Sequence, residues 1–388
     1  MKIATRNIND TLSEILEKRK QAFLFRSLQV NEGLVDFCSN DYLGFARSQR
    51  LRDKVKLSVD QFELLSGATG SRSISGNTAF AEELEKRLAG FHNAPAALLF
   101  NSGYDANVGL FSSIARKGDV LITDELIHAS IIDGCRLSYA TRLRFAHNDI
   151  NDLERKLSKA RQNENNLDAN IFVAVESVYS MDGDMAPLPQ IVDICRRHNA
   201  NLIVDEAHAT GIFGKQGRGL VNQSGLENDV FARVHTFGKA IGCHGAVVAG
   251  SNALRDYLIN FARSFIFTTA LPMHSLLSIS CAYDELQTGD PAVESLHERI
   301  RVFRNNFHLP GDAILIESNS PIQCLVIPGS QRVKTVASRL QEKGFDIRAI
   351  VSPSVPAGSE RLRISLHLHN TFAQIENLKQ ALTQILFS

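Results

Sequence analysis

The feature that most constrains this chain is an alternation running from residue 96 to residue 250. Short, nearly continuous apolar runs recur there: AALLF (96–100), DVLIT (119–123), NIFVAVES (170–177), NLIVDEA (201–207), ARVHTF (232–237) and GAVVAG (245–250). Between them lie stretches of helical periodicity near 103–116, 128–138, 149–162 and 187–198. A strand that is apolar throughout needs cover on both faces, and strands separated by helices run mostly parallel. The expected fold class is therefore α/β, a mostly parallel central sheet with helices on both faces. Upstream, 9–29 reads as an amphipathic helix lying across another unit, LVDF (34–37) as a short strand and 48–62 as a helix. Helices fill 252–308. The tail mixes the strands IQCLVI and RLRISL with helices near 331–343 and 371–386, which makes a smaller α+β unit. The expected division is an N-terminal helix and strand segment at 1–50, a large domain at 51–285 and a small C-terminal domain at 286–388.

Lys+Arg and Asp+Glu both number 42, so the net charge is zero, which gives no support for nucleic acid or an anionic membrane as partner. No apolar run reaches the roughly 18 residues of a membrane span, and the start, MKIATRNIND, has no apolar h-region of a secretory signal. The six cysteines, Cys38, Cys135, Cys195, Cys243, Cys281 and Cys324, include no C-x-x-C pair. That spacing argues against a metal site or redox motif, and the expectation is reduced thiols and a cytoplasmic location.

In a sheet of this kind ligands sit beyond the carboxyl ends of the strands. NLIVDEA runs into DEAHATG, which sets Asp205 where the apolar run stops and His208 three residues on. A carboxylate there needs a positive partner, and a protonated pyridine nitrogen is one; a helix N-cap is the ordinary alternative. ARVHTF runs into TFGKAIG, where Lys239 is poorly solvated and suited to imine chemistry, with the Thr236 hydroxyl nearby. A surface charge is the ordinary reading of such a lysine. AALLF leads to NSGYDAN, where Gly103 and Tyr104 open a helix whose free N–H groups suit a phosphate. NIFVAVES leads to Ser180 and an Asp-Gly turn, and DVLIT leads to His128, whose ring can stack on a flat ligand. The Gly/Ser-rich GATGSRSISGN (67–77) lacks the G-K-[ST] ending of a P-loop and reads as a flexible or close-approach loop. Together a lysine, a carboxylate, two imidazoles and a phosphate nest at one sheet edge fit pyridoxal 5'-phosphate (PLP).

The motifs SNDYLG, DEAHATG, TFGKAIG and SVYSMDGDMAPL resemble those of the α-oxoamine synthases, PLP enzymes of fold type I, over nearly the whole chain. The resemblance implies decarboxylative condensation of an amino acid with an acyl thioester. FAHND (145–149), GKQGRG (214–219) and VPAGSERLRIS (355–365) resemble the branch that joins L-alanine to a pimeloyl thioester, on CoA or acyl carrier protein, in biotin biosynthesis. Branches using glycine or serine with another acyl-CoA are the alternative. By resemblance, Lys239 carries the cofactor and serves as base, Asp205 faces the pyridine nitrogen, His208 the phenolic oxygen, and His128 stacks on the ring. Gly103, Tyr104, Ser180 and Thr236 match cofactor contacts. Arg26, His128 and Ser354 match substrate contacts, Arg363 grips the amino-acid carboxylate, and Asn40 lies near it. The resemblance also implies a homodimer with shared sites, in which Thr268 and Thr269 reach the partner's cofactor phosphate. His244 and Arg72 depart from the pattern and bear on acyl specificity.

Overall fold

The computed structural model describes residues 7–387 except 29, 31, 62–65, 163–168, 289, 308 and 310. After the two-residue strand β1 (Val35–Asp36), the apolar runs form β2 (Ala96–Phe100), β3 (Val120–Asp124), β5 (Ile171–Glu176), β6 (Asn201–Asp205), β7 (Ala232–Thr236) and β8 (Ala246–Gly250). With β4 (Thr141–Phe145) they make one seven-stranded sheet in the order β2-β8-β7-β6-β5-β3-β4. Every pairing is parallel except the two made by β8. Every residue of β2, β3, β5 and β7 is buried. Alternate side chains feed two separate cores, Val173, Val175 and Val204 on one face, Ala174, Ile203 and Val234 on the other. This is the α/β architecture the alternation predicts.

Short polar caps start the helices that cover the sheet. Ser102 accepts from the Asp105 N–H at the head of Gly103–Ile114, and the His128 ring accepts from the Ser130 N–H at the head of Ala129–Leu137. Both helix starts thus lie at the carboxyl ends of strands.

A second, antiparallel sheet holds β9 (Ile314–Leu315), β10 (Ile322–Val326), β12 (Arg348–Ile350) and β13 (Arg361–Ser365) in the order β12-β13-β10-β9. β1 pairs in parallel with β11 (Phe345–Asp346), so the N-terminal segment is hydrogen-bonded to the C-terminal unit.

Some expectations need correction. β4 reads TRLRF, an edge strand with Arg142 and Arg144 exposed, so no apolar run marks it. The helix Ala79–Phe91, capped by Thr78, also went unmarked. The first helix runs only Ile8–Gln21, because Phe23 takes a left-handed φ of 57° that ends it, and none of its residues is buried. The loop at 67–77 is a close approach. The Ala270 N–H donates to the Gly70 carbonyl, and a Cβ on Gly76 would lie 2.3 Å from that oxygen.

Candidate functional site

β6 ends at Asp205, and the following turn carries His208 to the amine of Lys239, with Nζ 2.8 Å from Nε2. The other ring nitrogen of His208 lies 2.8 Å from the Tyr42 hydroxyl. That hydroxyl donates to Asn40 Oδ1 and accepts from Arg363 Nη2 at 3.3 Å. Arg363 also donates from Nη2 to Asn40 Oδ1 at 2.9 Å and from Nε to the Ser180 carbonyl at 2.7 Å. One continuous chain of contacts therefore joins Lys239, His208, Tyr42, Asn40, Arg363 and Ser180, drawn from both sheets.

Electrostatics follow from burial. Desolvation brings Lys239 down from 10.5 to about 8, although the charges of Asp205 and Glu176 pull the other way. His208 is held well below its ordinary value, first by burial and then by the Lys239 charge. His128 is also lowered by burial, against the pull of Asp205. Glu176, which ends β5 directly opposite Asp205 in register, is pushed up to about 8 by burial and by the Asp205 charge.

Asp205 is held by Asn107, whose Nδ2 donates to it at 2.8 Å, and by the Ala207 N–H. Asn107 also reaches Ser130, which lies 2.7 Å from His128 Nδ1, so Asp205 and His128 share one polar support. Gly103 faces Thr236: a Cβ there would lie 3.2 Å from the Thr236 hydroxyl. The helix start at Gly103 and the end of β7 thus form one small cradle.

Other expected residues sit further out. Tyr104 is 48% exposed and donates to Asp133. Thr268 Oγ1 and the Thr269 carbonyl both accept from Asn101, beside the end of β2. Arg26 donates to Ser354 at 3.0 Å, so these two meet each other across 328 residues of sequence. Arg72 is not open to a ligand in this arrangement, because it pairs with the buried Glu85 at 2.8 Å. His244 is exposed.

Sequence reasoning missed Tyr42, Asn107 and Glu176. Glu176 carried a readable signal, since it closes an apolar run as Asp205 does. Asn107 lies one helical turn after Gly103, with nothing local to mark it.

The residues fit PLP on grounds of their own. Asn107 Oδ1 and Glu176 Oε1 are buried polar atoms with no hydrogen-bond partner among the described residues, and the Gly103 cradle is one that a Cβ would fill. The lysine is close to the pKa that imine chemistry needs.

The fold and site define a class, and the chain belongs to it: residues 32–382 match the family described as aminotransferase class I and II. Within that class it is similar to 8-amino-7-oxononanoate synthase of Emericella nidulans, 43% identical over 97% of this chain and 95% of that one. Among solved structures it is similar to 8-amino-7-oxononanoate synthase of Francisella tularensis, with TM-score 0.75 and 30% identity over 91% of this chain and 98% of that one. It is also similar to serine palmitoyltransferase of S. paucimobilis with a bound PLP–myriocin aldimine, with TM-score 0.86 and 28% identity over 97% and 96%.

Proposed function

We propose that this chain condenses L-alanine with a pimeloyl thioester, with PLP as its cofactor, to give 8-amino-7-oxononanoate, free thiol and CO2. The carrying observation is Lys239. It sits at the end of a buried strand, against His208, with two carboxylates and Arg363 close enough to set its charge. When bound, PLP supplies an electron sink for the negative charge that forms on the alanine Cα.

The chain's own residues do the rest. Lys239 holds the cofactor and, once freed, removes the Cα proton as general base. Asp205, anchored by the Asn107 and Ala207 donors, faces the ring nitrogen and favours its protonated form. His208, neutral in its buried position, bonds the ring oxygen, and His128 covers the ring face. Gly103, Tyr104, Ser180 and Thr236 contact the cofactor, while Thr268 and Thr269 serve the partner subunit's phosphate. Arg363 takes the alanine carboxylate in a two-point grip, with Asn40 at its side. Arg26 and Ser354 contact substrate as a pair. The new C–C bond forms at the thioester carbonyl as the C–S bond breaks. The carboxylate then leaves as CO2, and a proton returns to Cα.

The chain works as a homodimer in this reading. Support comes from the helix Ile8–Gln21, whose Ile8, Leu12, Ile15 and Leu16 are all exposed in the single chain. The cytoplasm suits its six unpaired cysteines. No helix among the described residues is long and apolar enough to cross a membrane.

A glycine- or serine-using synthase is the second reading, favoured by the likeness to serine palmitoyltransferase. One methyl or hydroxyl is worth only about 1–3 kcal/mol in a pocket. Steady-state assays with alanine, glycine and serine against pimeloyl-CoA and acetyl-CoA separate the two, with free thiol and product mass as readouts. Turnover with glycine or serine alone overturns the alanine assignment.

A further inference from the structure

The FAHND run places His147 just past the end of β4, the edge strand four positions along the sheet from β7, which leads to Lys239. Its Nδ1 lies 2.9 Å from Asp124 Oδ1, and its Nε2 lies 2.7 Å from Asp184 Oδ2. A neutral imidazole has one donor and would satisfy only one of these carboxylates; two facing carboxylates require the doubly protonated ring. Asp124 is fully buried, closes β3 and is anchored by the Leu126 and Asn148 N–H groups. Asp184 belongs to the turn after β5, and Asn148 Nδ2 donates to it as well. The ring of Tyr179 stands edge-on to the imidazole, 4.5 Å away.

That turn is stiff. Val178 bridges Met185, the Tyr179 N–H donates to the Asp184 carbonyl and the Gly183 N–H to the Tyr179 carbonyl. It is also the seam between the two sheets. Asp182 pairs with Arg361, the Gly183 carbonyl accepts from Ser318, and the Ser180 carbonyl accepts from Arg363. Gly183 has a φ of +76°, and a Cβ there would lie 2.3 Å from the Ile322 carbonyl, so the seam closes at backbone contact. Tyr179 to Asp184 is thus one body, fastened at Asp184 and acting on Arg363 at Ser180.

We propose that His147 is a positioning residue: its charge fastens the 178–185 turn to the end of β3, and through the Ser180 carbonyl it sets the orientation of Arg363 toward the amino-acid carboxylate. This rests on the reading of Arg363 as the carboxylate grip. Asn148 spans the same gap with its N–H on Asp124 and its Nδ2 on Asp184, but it is neutral, so His147 supplies the charge there.

The test uses the PLP-loaded enzyme with His147→Gln and, as a milder second variant, Asp184→Asn. Each should raise the amino-acid KM about tenfold while the thioester KM stays within about twofold. Calorimetric titration with alanine should show the same weakening without turnover. Combined with Arg363→Lys, the two effects on amino-acid affinity should fall short of additive, because both act through one guanidinium. Additive effects, an unchanged amino-acid KM, or equal losses for both substrates that track a lowered Tm would each overturn the proposal. Running alanine, glycine and serine in parallel keeps the two readings apart. If glycine replaces alanine as substrate, the assignment of alanine fails, while the role of His147 stands or falls on the KM of glycine.

Discussion

The depressed basicity of Lys239 can be measured without any cofactor. At pH 8 an amine with a pKa of about 8 is half neutral, whereas an ordinary lysine at 10.5 is about 0.3% neutral. The nucleophilic fraction is therefore roughly 150-fold larger. The neighbours give the response a sign. Asp205 and Glu176 raise this pKa and Arg363 lowers it, so Asp205→Asn should move the inflection down and Arg363→Gln should move it up. The assay is reductive methylation of the cofactor-free protein across pH 6–11, with the Lys239 peptide quantified by mass spectrometry against exposed lysines. An inflection near 8 in the parent protein, with opposite displacements in the two variants, is expected. An inflection at or above 10, or displacements of the same sign, would refute the view that burial governs this amine.

Three further outcomes are expected. Lys239→Ala should abolish turnover and the borohydride-sensitive visible band of the PLP-loaded protein, while Tm of the cofactor-free chain holds or rises, because a desolvated amine is removed. Gly103→Ala should weaken PLP binding by at least about tenfold with little effect on Tm, since its Cβ would crowd the Thr236 hydroxyl at 3.2 Å while alanine suits the first turn of a helix; equal PLP affinity in equilibrium dialysis would refute it. His147 has its pKa raised from 6.5 to about 10 by its bonds to Asp124 and Asp184, which outweigh burial. A folded-state value above the unfolded one means stabilisation that is complete below pH 6.5 and lost as pH rises toward about 10. The stability gap between the parent and His147→Gln, on the order of 2–4 kcal/mol at pH 6 in urea unfolding, should therefore shrink steadily to pH 10; a gap independent of pH would count against the charged ring.

What the sequence disclosed follows from which forces act locally. The buried strands of the central sheet were readable because burial on both faces leaves an apolar run with no polar interruption. β4 was not, because an edge strand answers to only one neighbour and leaves Arg142 and Arg144 in water. Asp205, His208 and Lys239 stood out because polar groups immediately after such runs are conspicuous. Their supports did not. Tyr42 meets His208 across 166 residues and Asn107 meets Asp205 across 98, distances over which spacing carries no information. Arg72 was illegible for the same reason: the sequence showed only that it departs from the family pattern, and only the folded chain shows it paired with Glu85. The binding roles of Arg26 and Ser354 came from resemblance alone, and the structure adds only that the two side chains touch.

The register that sets Glu176 opposite Asp205 has a consequence for proton traffic. Two buried carboxylates in register, with a lysine amine of lowered basicity beside them, respond to one another's charge when a cation arrives or leaves. In the proposed reading, a protonated ring delivered to Asp205 would shift the proton occupancy of Glu176 and Lys239 together. Filling this site is thus an exchange with the solvent's hydrogen ions. Its heat should depend on the ionisation enthalpy of the buffer.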